Sequence, residues 1–97
     1  TVLLGQVREL SFDQAERRIA RTLLNLAAQY GRPCPEGVRI SIRFTHQDVA
    51  GIINTSRITT NKVMKRMEEE GILLKREGRY ILRALPALER LARGEGQ

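Results

Sequence analysis

The chain has 97 residues, 41% of them hydrophobic, and no apolar run near the roughly 18 residues of a membrane span. That suffices for one domain around one core and leaves no room for a second catalytic lobe, which argues against most stand-alone enzymes. Seventeen Lys and Arg against 11 Asp and Glu give +6 and favour a polyanionic partner, while one cysteine and one histidine cannot form an internal disulfide or a structural zinc site.

Val2, Leu3, Val7 and Leu10 make a short helical stripe that begins abruptly, as if cut from a longer helix. Residue 1 is Thr, and Val2 to Leu4 is too short for a signal-peptide core, so the sequence reads as a piece of a longer protein in a reducing, cytoplasmic setting. Ser11 or Asp13 caps a new helix, with Gln14 or Glu16 at the capping-box position three residues on. Ile19, Leu23, Leu26, Ala27 and Tyr30 recur at helical spacing until Gly31 and Pro33 stop it. Arg32 to Gly37 reads as a turn-rich connector in which Cys34 is an incidental thiol. Val38, Ile40, Ile42 and Phe44 alternate with Arg39, Ser41 and Arg43, the pattern of a half-buried strand with a basic outer face.

Thr45 next caps a short helix with Val49, Ile52 and Ile53 on one face, and Asn54, tolerant of a left-handed backbone, ends it. Thr55 or Ser56 caps the helix that follows, at about 56–70, and Gly71 suits its left-handed exit. Ile72 to Lys75 and Tyr80 to Leu82 form a small hairpin around Arg76-Glu77-Gly78-Arg79. Pro86 suits the first turn of a last helix through Leu88 and Leu91, and the tail from Gly94 should fray.

Residues 39–66 hold six cations, Arg39, Arg43, Arg57, Lys62, Lys65 and Arg66, against Asp48 alone. Within this stretch Val49, Ala50, Ile53, Asn54 and Val63 have the spacing of a helix-turn-helix, with the small Ala50 where the helices cross. Thr60, Val63, Met64 and Met67 then point into the core. Arg57, Ile58, Asn61, Lys62 and Lys65 are left on the outer face, near the end of a helix that can enter a major groove. With two Tyr, two Phe and no Trp, a stacking platform for single strands is not expected, and double-stranded DNA is the expected partner. The fold class is mainly α with a small β-hairpin, an α+β winged helix-turn-helix.

Arg18 to Ala27, Phe44 to Ala50, Thr55-Ser56-Arg57 and Met67 to Ile72 together resemble the cyclic-AMP receptor and fumarate-nitrate regulator (Crp-Fnr) superfamily of bacterial transcription factors. The resemblance covers nearly the whole chain. It implies a C-terminal DNA-binding domain at 11–97, preceded at 1–10 by the end of a dimerisation helix. A homodimeric parent would carry an N-terminal sensor for a cyclic nucleotide or other small-molecule effector, with no cofactor in the present chain.

Carried over residue by residue, Arg57 resembles the arginine that reads guanine, and Lys62 falls where well-known members have a second base-reading arginine. Ile58 stands where those members have glutamate, which implies changed specificity; Asn61 lies on the same base-facing surface. Thr45, Gln47, Ser56 and Thr59 resemble phosphate contacts, with Thr55, Lys65 and a protonated His46 beside them and Arg76 and Arg79 on the wing. Asn54 replaces the usual turn glycine, and Thr60 a buried valine. Glu68 to Glu70 read as a solvated face, RNA polymerase being the partner they would otherwise suit. The alternative function is a winged-helix protein-interaction module that never touches DNA. No nucleophile-base pair or phosphate-binding glycine loop suggests an enzyme.

Overall fold

The computed structural model describes residues 10–94; Val2, Leu3, Val7 and the residues beyond Gly94 lie outside the described residues. The elements run α1 (Phe12–Tyr30), β1 (Gly31–Cys34), β2 (Gly37–Ile40), α2 (His46–Ile53), α3 (Arg57–Glu69), β3 (Leu73–Arg76), β4 (Arg79–Leu82) and α4 (Leu85–Ala92).

Helix α1 starts at Ser11. The Ser11 hydroxyl accepts from the Gln14 N–H at 3.2 Å, and the Gln14 side chain accepts from the Ser11 N–H at 3.0 Å. This reciprocal cap satisfies two donors that the first helical turn leaves without partners. Ala15, Ile19, Ala20 and Leu23 are buried, whereas Tyr30, where the stripe runs off the core, is exposed. Gly31 is extended rather than left-handed, because the chain passes directly into a strand.

That strand corrects the expectation of a plain connector at Arg32 to Gly37. Gly31–Cys34 pairs antiparallel with Gly37–Ile40 in the register Gly31↔Ile40 to Cys34↔Gly37, and the sheet has four strands in the order β1-β2-β4-β3. Gly37, with φ near +149°, fits because a Cβ there would run into the Leu82 carbonyl of β4. The strand expected over Val38 to Phe44 is shorter than its alternation suggests. Its pairing with β4 is confined to Val38↔Leu82 and Arg39↔Ile81, and beyond Ile40 no ladder enforces the alternation, so Ile42 is exposed. Phe44 is buried nonetheless, its ring centroid 5.0 Å from that of Tyr80. In the wing, β3–β4, Glu77 and Gly78 both have positive φ, the two-residue turn whose twist matches that of the flanking strands.

Helix α2 opens on a second reciprocal cap, Thr45 with Asp48, and ends at Asn54 in the left-handed region (φ 61°, ψ 53°). Its inward side consists of Val49, Ala50 and Ile53; Ile52, expected on that side, is 61% exposed. Eight residues bury only a narrow stripe, and Ile52 falls outside it. Ser56, not Thr55, caps α3, whose Thr60, Val63, Met64 and Met67 are buried as expected. Thr60 meets its polar requirement locally, its hydroxyl donating to the Ser56 carbonyl at 3.0 Å. Gly71 takes the expected left-handed exit with φ near 78°. Pro86 lies in the first turn of α4, whose Leu88 and Ala92 join the core, and Arg21 of α1 fastens the end of α4 by donating to the Ala92 carbonyl at 3.0 Å.

Candidate nucleic-acid interface

With Thr60, Val63, Met64 and Met67 facing inward, α3 has no choice about what it shows outside. Arg57, Ile58, Asn61, Lys62 and Lys65 are all exposed, and Ile58 is 68% accessible. Isolated exposed isoleucines are common on protein surfaces, and Ile58 draws its interest from the cations beside it rather than from its exposure.

The polar side chains around the starts of α2 and α3 are mutually braced. Arg57 donates through Nη1 to Gln47 Oε1 at 3.5 Å, linking the two helices across the turn. The Thr45 hydroxyl accepts from the Asp48 N–H at 3.1 Å, and the Asp48 carboxylate accepts from the Thr45 N–H at 2.8 Å. The Ser56 hydroxyl accepts from the Thr59 N–H at 3.1 Å and donates to Thr59 Oγ1 at 3.0 Å. Thr45 and Ser56 are therefore helix caps first. Thr55 is placed differently from its neighbours: its hydroxyl is buried with no hydrogen-bond partner, so it cannot meet a backbone phosphate without a change of rotamer.

His46, in the first turn of α2, bridges to α3. Its Nδ1 lies 2.8 Å from Asn61 Oδ1 and its Nε2 3.7 Å from Glu68 Oε2, while its ring stacks over Tyr80 at 6.3 Å between centroids. Burial, aided by Glu68, pushes the Tyr80 phenol up to about 12, so it stays neutral beside the histidine. The acidic run is largely engaged within the domain, because Glu70 also accepts from Arg66 Nε at 3.1 Å.

The wing arginines are structural as well as cationic. Arg79 donates through Nε to the Ser41 carbonyl at 2.9 Å, tying the hairpin to the segment that leads into α2, and Arg76 pairs with Glu36 of the β1–β2 turn at 3.5 Å. A further cation lies beside the wing. Arg43 packs along the wing turn, its guanidinium carbon 3.5 Å from where a Cβ on Gly78 would stand. The only sequence signal for it was its membership of the basic stretch 39–66. Among the described residues no group of three or more His, Cys, Asp or Glu could hold a metal ion, and no helix is long and apolar enough to cross a membrane.

Two helices joined by a left-handed turn, a hairpin strapped beside them, and an exposed cationic face on the second helix define a winged helix-turn-helix domain. The model of the Crp-like helix-turn-helix domain matches residues 17–91, and the chain belongs to that family. It is 36% identical over 69 residues to the cAMP-activated global transcriptional regulator CRP of Salmonella typhimurium, covering 70% of this chain and 32% of that protein. Identity is likewise 36% over 69 residues to the cAMP-activated global transcriptional regulator Vfr of Pseudomonas aeruginosa, covering 70% and 31%. The chain thus spans about a third of the length of these curated relatives. Among solved structures, a CRP-family transcriptional regulator of Thermus thermophilus superposes with a TM-score of 0.70 at 30% identity, over 80% of this chain and 40% of that one. The CO-dependent transcription factor CooA of Carboxydothermus hydrogenoformans has the same fold, with a TM-score of 0.77 at 23% identity over 84% and 38%.

Proposed function

We propose that this chain is the sequence-specific DNA-binding domain of a bacterial transcription regulator, and that α3 enters the major groove of double-stranded DNA. The observation that carries the reading is the face of α3 on which Arg57, Ile58, Asn61, Lys62 and Lys65 are exposed together while the opposite face is buried. Arg57 reads guanine: its planar fork matches the O6 and N7 acceptors, and Gln47 already orients it. Ile58 offers only apolar contact, suited to a thymine methyl, and Lys62 reaches guanine or phosphate. Thr45, Gln47, Ser56, Thr59, Lys65 and the wing arginines hold the backbone in register without reading sequence.

The parent is read as a homodimer that sets two such helices about 34 Å apart on a pseudo-palindrome. Its small-molecule effector, of the kind that makes CRP and Vfr cAMP-activated, is bound outside the present residues. Titration of the chain against random-sequence and selected duplexes at several salt concentrations tests the central reading. Affinity should fall steeply as salt rises, and Arg57→Ala should cost about 1–3 kcal/mol and abolish preference at one guanine per half-site. Salt-insensitive binding, or none, would leave the protein-interaction alternative in its place.

A further inference from the structure

We infer that the outer face of the sheet is a second phosphate-binding surface, on which Arg32 and Arg39 carry the backbone of duplex DNA flanking the site that α3 reads. The inference rests on the DNA-binding reading above and extends it past the wing. Strand register puts four arginines on one side of the sheet. Arg32 of β1 is directly opposite Arg39 of β2, and Arg39 is opposite Ile81 of β4; Arg79, two residues before Ile81, is opposite Arg76 of β3. The other side of the same strands belongs to the core, with Ile40, Tyr80 and Leu82 buried.

Like charges directly opposite each other on an antiparallel ladder repel and weaken it, and this sheet has two such pairs. The pair in the wing is relieved within the domain: Arg76 reaches Glu36 at 3.5 Å, and Arg79 donates to the Ser41 carbonyl at 2.9 Å. The other pair is not. Arg32 and Arg39 are both exposed, and among the described residues neither guanidinium has a hydrogen bond or an ion pair. An opposed pair without an internal partner costs the isolated domain stability and suits an anion from outside, one that both guanidinium groups can hold through charge-assisted hydrogen bonds.

The surface favours a nucleic-acid backbone over an acidic protein. Arg39, Arg76 and Arg79 line one shallow hollow with Ile81, which is only 3% exposed, so the hollow has no open aromatic or aliphatic side chain of the kind that anchors a protein interface. It is also continuous with Arg76 and Arg79, which the DNA-binding reading already sets on phosphates. Three strand spacings of about 4.8 Å carry the arginines about 14 Å from β3 to β1, the length of about four base-pair steps of a duplex continuing along the row.

The test is binding to a series of duplexes that share one selected site and have flanks lengthened one base pair at a time on each side. The proteins compared are the unaltered chain, Arg32→Gln, Arg39→Gln and the double variant; glutamine keeps part of the stem beside Ile81 and removes the charge. For the unaltered chain, affinity at low salt should rise about tenfold over about four added base pairs and then level off, with the salt slope steeper by about two units. Each single variant should lose about one unit of that steepening and the double variant all of it. On the shortest duplex all four proteins should bind alike. A double variant that gains from the flanks as the unaltered chain does overturns the inference and leaves the arginine pair to an acidic protein partner, while equal binding to the shortest duplex still upholds DNA reading. A chain that binds no duplex overturns both. Because each variant relieves repulsion, its melting temperature should equal or exceed that of the unaltered chain. A fall in both single variants would show that the opposed pair is not repulsive and would remove the ground for the inference.

Discussion

On the proposed DNA-binding reading, Ile58 cannot accept a hydrogen bond, so a base pair beneath it would not be held to the cytosine amine that a glutamate would require. Restoring the acid with Ile58→Glu should move selection at that position toward cytosine and lower affinity for all sequences, because a carboxylate is brought near phosphates. Parallel selections with the two proteins check this; the same base chosen by both would reduce Ile58 to a side chain lying along the groove. At this scale the sequence was most legible where one side chain serves one local need. Ser11 with Gln14, Thr45 with Asp48, and Asn54 in its left-handed turn all follow from chemistry within three or four residues. The His46–Asn61–Glu68 bridge was not legible, because even its shorter link, His46 to Asn61, crosses 15 residues and depends on how α2 crosses α3. Turn chemistry alone leaves Thr55 and Ser56 equal as caps for α3; packing gives the role to Ser56 and leaves the Thr55 hydroxyl buried with no hydrogen-bond partner.

Among the elements, helices announced themselves and the sheet did not. Their caps and apolar spacing are local, whereas Gly31–Cys34 shows no alternation and contains a proline; it is a strand because Gly37–Ile40 lies beside it. Alternation also overreached, continuing to Ile42 after the ladder had ended. The wing was read correctly as a hairpin, but its attachment was not: Arg79 is a strap to Ser41 as well as a surface charge. Arg79→Ala should therefore weaken binding to every DNA sequence alike and reduce the salt slope by about one unit. Arg79→Lys, which keeps the charge but not the guanidinium geometry, should keep the slope while still losing affinity through a looser wing. Salt titrations of both variants separate the two contributions, and an unchanged slope for Arg79→Ala would remove the wing from the contact surface.

For the molecule as a whole, one acid is in an unfavourable place. Glu16 is 7% exposed on the core side of α1, and its pKa is raised above 4.5 chiefly by burial, with Glu70 and Asp13 adding to a shift that Arg66 only partly offsets. The folded state thus holds this proton more tightly than the unfolded state does. Below pH 4.5 Glu16 is protonated in both states and carries no penalty; as pH rises through its folded pKa, stability is lost and stays lost at neutral pH. Glu16→Gln should accordingly raise the melting temperature at about pH 7 and leave it nearly unchanged at about pH 3.5, as paired thermal melts would record. An equal shift at both values would assign the effect to packing instead.

Pro33 lies on β1, an outermost strand of the sheet. Cys34 and Gly37 close a two-residue turn, so the next pair, Pro33 and Val38, is the wide one, in which backbone nitrogens point away from the partner strand. The open side of β1 therefore presents a position with no hydrogen to donate, flanked by Arg32. At the opposite margin, β3 carries Lys75 and Arg76. A second sheet approaching either margin meets a missing donor or a pair of positive charges, which guards against strand-by-strand polymerisation. Copies of the domain can then be brought close together without their sheets fusing.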